Sequence, residues 1–113
     1  MAIPKYGQFI ILDRGNMGES SLVTDTVDVS DTQTFKIIAY WFNGSGSPVG
    51  VLSLESSDTG ITYETVLESE QSIADDTGFH IWDYPYNPTR MIRARYTKTQ
   101  GLGTMTIFIQ MGG

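Results

Sequence analysis

The chain contains no cysteine. Disulfides, thiolate zinc sites, iron–sulfur clusters and thiol catalysis are therefore excluded together. Histidine occurs once and proline four times, so no pair of histidines at metal-ligand spacing exists. Phosphate-cradling glycine motifs and a nucleophile-elbow serine are absent as well. The longest apolar runs, residues 9–12 and 37–42, are far too short to span a bilayer. The opening residues Met1-Ala2-Ile3-Pro4-Lys5 lack the apolar core of a signal peptide. With an initiator Met and an end soon after the last strand-like run, the chain reads as a complete small protein made in a cytoplasm. Basic side chains are outnumbered by acidic ones, 7 against 13, for a net charge of −6. A surface of that sign argues against nucleic acid or anionic membrane as a partner.

What is present is a period of two. In the last quarter, residues 90–111, Ile92, Ala94 and Tyr96 alternate with Arg93, Arg95 and Thr97. After the break Thr99-Gln100-Gly101-Leu102-Gly103 the alternation resumes. Met105, Ile107, Ile109 and Met111 share one side, and Phe108 is an apolar exception among the polar positions of the other. Side chains on alternate faces mean β-strand. Two such runs around a five-residue, glycine-containing break predict a terminal β-hairpin. Further strands are expected over 6–12, 22–29, 34–42, 49–55, 61–67 and 79–84. The run 34–42 alternates so little that both its faces are expected to be partly covered. Leu52 and Leu54 are assigned inward and Trp41 to the core. No stretch has helical periodicity.

The fold class is therefore all-β: one antiparallel β-sandwich or jelly-roll-like barrel of about eight strands ending in a hairpin. At 113 residues the chain is one domain, 1–113, with residues 1–5 as a candidate flexible arm.

Candidate chemistry is sparse. His80 has no serine motif to activate, and the nearest acid in sequence is Asp83. It reads as a strand histidine on the wet face or at a loop margin. The acidic residues could gather a calcium ion, for example at Asp75 and Asp76, but no known loop spacing accompanies them. No catalytic residue, metal or cofactor is assigned, and the chain is read as a non-enzyme. Charge is unevenly spread. Residues 55–83 hold eight acids and no Lys or Arg, whereas residues 90–98 hold four of the seven basic residues and no acid. Two such patches could meet across a subunit contact. Trp82, Tyr84 and Tyr86 lead into a loop bracketed by Pro85 and Pro88. Exposed Trp and Tyr anchor protein interfaces and sugar-binding faces. Arg93, Arg95, Tyr84, Tyr86 and Trp82 are accordingly the candidate interface residues.

Several phrases, in order along the chain, resemble those of small tailed-phage β-sandwich virion proteins. They are Val27-Asp28-Val29-Ser30, Ser57-Asp58-Thr59-Gly60-Ile61-Thr62-Tyr63, Trp82-Asp83, Ile92-Arg93-Ala94-Arg95-Tyr96-Thr97 and Gly101-Leu102-Gly103-Thr104-Met105-Thr106. The resemblance implies a decoration (cement) protein on the capsid surface, bound to the major capsid protein and working as a homo-oligomer, with a trimer among the arrangements. It carries over no catalytic residue. The second reading is a carbohydrate- or host-surface-binding module of a fibre or tail, using Trp82, Tyr84 and Tyr86.

Overall fold

The computed structural model describes residues 7–30, 32, 34–85 and 90–112. It contains eight strands, and no helix occurs among those residues: β1 (Gly7–Asn16), β2 (Ser21–Val23), β3 (Val27–Asp28), β4 (Thr34–Ser57), β5 (Glu64–Thr65), β6 (Gln71–Ile73), β7 (Gly78–Tyr84) and β8 (Met91–Gly112). The all-β, antiparallel expectation holds.

The terminal hairpin does not form. β8 is one strand, and both of its halves pair with β4, from Thr34↔Gly112 to Ser57↔Met91. The five-residue break bends the strand instead of reversing it. β4 bends beside it, with register shifts between Phe42 and Gly50. These shifts explain the change of parity that the sequence shows. Inward positions are odd in residues 35–41 and 105–111 but even in 52–54 and 92–96. The flanking strands follow the same course. β1, β2 and β3 run in sequence along the outer side of β8, and β5, β6 and β7 along the outer side of β4. The molecule is thus one antiparallel sheet, four strand-paths wide and folded over across its middle, so that its two halves face each other as a sandwich.

The fold line crosses residues 17–20, 43–49, 74–77 and 99–103, and backbone bonds tie these corners together. Met17 N–H donates to Gly103 O, Lys98 N–H to Ser20 O and Gly44 N–H to Asp76 O. Gly101 is required at its corner twice over. Its φ is +89°, and a Cβ there would run into the Pro48 backbone.

One apolar cluster fills the space between the halves. It includes Phe35, Ile37, Ala39, Trp41, Ile107 and Ile109 from one half, and Leu52, Leu54, Ile92, Ala94 and Tyr96 from the other. The inward assignments of Leu52, Leu54 and Trp41 hold. Two further strand expectations change. Only Glu64–Thr65 of the run 61–67 is strand, because the turn beginning at Ser57 runs on through Thr62, whose N–H donates to Thr59 Oγ1. The run 22–29 splits into β2 and β3. Val23 faces outward while Thr24 is buried, its hydroxyl accepting from Ala94 N–H and donating to Asp25 O. The segment 1–5 lies outside the described residues.

Candidate interaction face

One half of the folded sheet has the strand order β1–β8–β4–β7. Alternate residues of each strand point into the core, so the others must form its outer face. On that face Ile10, Phe108, Ile38 and Ile81 are consecutive cross-strand partners, one from each strand. Tyr40 and Phe79 form the next pair, and Phe42 lies beyond Tyr40. The rings are organised against one another. Tyr40 stacks with Phe42 at 6.1 Å and meets Phe108 edge-on at 6.3 Å, both preferred aromatic geometries. No described segment covers this face. Phe79 is 70% exposed, Ile10 59%, Ile81 43% and Tyr40 39%. Scattered single apolar residues are ordinary on a surface, but a contiguous row rimmed by polar groups marks an interaction site. The polar rim is the neighbouring row Gln8, Gln110, Lys36 and Asp83, also consecutive partners. Gln110 donates to Gln8 at 3.1 Å. A shallow hollow of about 390 Å³ lies at that rim, with Lys36, Asp83 and Gln110 among its lining residues.

The other half-sheet holds Arg93 and Arg95. Glu55 and Arg93 are directly opposite in the β4–β8 register. The Glu55 carboxylate accepts from Arg93 Nε at 2.7 Å and from Arg95 Nε at 3.0 Å. Arg95 also donates to Ser21 Oγ, and the Arg93 guanidinium lies 3.5 Å from the Tyr63 ring centroid. Burial alone would raise the Glu55 pKa. The hydrogen bonds and positive charges of Arg93 and Arg95 outweigh it and hold the carboxyl below its ordinary value. The acid-rich and base-rich segments therefore meet within one chain, as neighbouring strands. Arg93 and Arg95 are partly shielded and already paired.

The aromatic candidates are dispersed. Trp82 faces inward with the other even positions of β7 and is 6% exposed, so it is not available at the surface. Its indole N–H donates to Ser69 O, joining the two half-sheets. Tyr84 is half-buried with its ring 4.9 Å from Phe35, and burial pushes its hydroxyl pKa up. Tyr86 lies outside the described residues. His80 stands on the inward side of β7, not the wet face, edge-on to Trp82 at 4.7 Å. Burial lowers its pKa. Trp41 donates its indole N–H to Asp75 O. Among the described residues no three His, Asp or Glu side chains converge as metal ligands.

Sequence reasoning missed the face itself. Its signals were the apolar exception at Phe108 and the weak alternation of residues 34–42. Strand neighbours half-bury Ile38 and Phe42, but among the described residues no second layer covers the outer side of that run.

No protein-family model matches the sequence, and no curated protein matches it. Solved structures do resemble the fold. The PBSX exported protein XepA superposes at a TM-score of 0.67 with 15% identity over 96% of this chain, which spans 38% of XepA. A CBM4 structure superposes at a TM-score of 0.50 with 12% identity over 94% of this chain, which spans 70% of that protein. At these identities the likeness is one of fold, and it places the folded sheet among antiparallel β-sandwiches.

Proposed function

We propose that this chain is a non-enzymatic structural protein of a phage particle, of the head decoration or cement type. In this reading it seats on the major capsid protein at the outer surface of the shell and works as a homo-oligomer. The observation that carries the reading is the uncovered apolar face of Ile10, Ile38, Tyr40, Phe79, Ile81 and Phe108. A rigid sheet presenting aromatic and branched side chains inside a polar rim has the composition of an interface core. The fold likeness to XepA, a phage protein, supports the same setting. Many identical lattice sites would give avidity, so each contact could be modest. Co-sedimentation with phage shells tests the reading. Saturation at a fixed ratio of protein to capsid subunit is expected, and a protein that ignores every shell refutes it.

A carbohydrate-binding role is the second reading. It draws on the fold likeness to a carbohydrate-binding module and on the hollow where the Lys36 and Asp83 side chains, with no hydrogen bond or ion pair among the described residues, border the apolar row. Saturable shifts of the Lys36, Asp83 and Gln110 resonances on glycan titration would favour it. Tryptophan fluorescence would serve poorly, since Trp41 and Trp82 are both buried.

A further inference from the structure

The strand edges of this sheet are not equivalent. β1, at one edge of the apolar half, carries two register shifts, and Arg14 within it adopts φ 51°. Bulges and charged residues of this kind blunt an edge against pairing with another chain. β2, β3, β5 and β6 run for only two or three residues each. β7 has none of these protections. It pairs with β4 without interruption from Phe35↔Tyr84 to Trp41↔Gly78. It contains no Lys, Arg, Pro or bulge, and Asp83 is its one acidic residue. Among the described residues no strand lies on its other side.

We propose that this edge is where a second copy of the chain binds, β7 pairing antiparallel with its counterpart about a two-fold axis through Ile81. All seven residues of β7 pair in that register, with Ile81 opposite itself and His80 opposite Trp82. Phe79 comes opposite Asp83, so the two acidic residues are staggered and no like charges face each other. Inward residues meet inward residues and outward meet outward, as the pleat requires. The row Ile10–Phe108–Ile38–Ile81 then continues into Ile81–Ile38–Phe108–Ile10 of the second copy. The result is one apolar band across eight strands. The net charge of −6 on the whole chain opposes the approach of a like copy, whereas β7 carries a single acidic residue near one end. Pairing consumes the edge, so the assembly closes as a dimer.

The test uses the purified chain alone, so it stands or falls separately from attachment to a shell. Sedimentation equilibrium across a micromolar to sub-millimolar series should approach twice the 12.5 kDa chain mass. Ile81 is 43% exposed, so Ile81→Lys and Ile81→Glu should keep wild-type circular dichroism. Each should be monomeric, because like charges would face each other, and an equimolar mixture should recover the dimer mass. The chain has no cysteine, so Ile81→Cys should yield a disulfide dimer on oxidation that Ile10→Cys does not. A monomeric wild type, a trimeric mass, or a dimer indifferent to both charge variants overturns the proposal.

Discussion

Replacing Glu55 by Gln perturbs the ion-paired contact between the acidic and basic segments. The carboxylate accepts two guanidinium hydrogen bonds, at 2.7 and 3.0 Å, with its own side chain 13% exposed. Fully buried charge-assisted bonds contribute about 1.5–3 kcal/mol each. The guanidinium side chains of Arg93 and Arg95 are 21% and 32% exposed, so solvent screening reduces this to about 1 kcal/mol each. The amide of Gln offers one acceptor oxygen and turns its NH2 toward the second guanidinium. A loss of about 1–2 kcal/mol at pH 7 follows, a fall in melting temperature on the order of 4–8 °C for a domain of this size. The pH dependence fixes the cause. The folded Glu55 pKa is depressed, so its contribution is fully present above the ordinary value of about 4.5 and is lost as pH falls through the folded value. The gap between wild type and Glu55→Gln in urea unfolding should be constant from pH 7 to about 5 and close below 4.5. A gap under about 0.3 kcal/mol at pH 7, or one that persists at low pH, would refute the reasoning.

Three further substitutions probe other parts of the account. Gly101→Ala combines a left-handed backbone with a clash against Pro48, so thermal unfolding should show a loss of about 2 kcal/mol or more. A wild-type melting temperature would mean that the corner is not held as described. Ser69, itself buried between β5 and β6, accepts from Leu54 N–H at 3.0 Å and donates to Val66 O at 2.7 Å. Ser69→Ala should cost about 1–3 kcal/mol in chemical denaturation, since it orphans a buried amide. Tyr96 is 1% exposed, and its hydroxyl has no hydrogen-bond partner among the described residues. Tyr96→Phe should match or exceed wild-type stability, and a loss above about 1 kcal/mol would reveal a partner for that hydroxyl.

The period-two pattern was legible because it follows from the pleat alone. Alternation in residues 92–96 and 105–111 identified the inward side chains correctly. It could not say whether the glycine-containing break reversed the strand or bent it, because both keep the same local residues. Pairing partners decide that, and the partner, β4, is more than thirty residues away. The charge segregation was likewise visible, but its resolution within the chain depended on Glu55 and Arg93 falling opposite each other. Trp82, Tyr84 and Tyr86 drew attention by residue type. Parity along β7 sends Trp82 inward and leaves the less conspicuous Phe79 and Ile81 outside. The face was hardest to read, since an outward apolar row on four separate strands becomes contiguous only once the strand order is known.

The central claim is that this face is the contact surface for a shell protein. Quantitative co-sedimentation of wild type and an Ile10→Ser/Phe79→Ser double variant with the same phage capsids tests it most directly. Both side chains are more than half exposed, so the variant should fold as wild type does. The account predicts at least a tenfold weaker apparent affinity, about 1.4 kcal/mol, with unchanged thermal stability. Equal occupancy by both proteins at every concentration would contradict it.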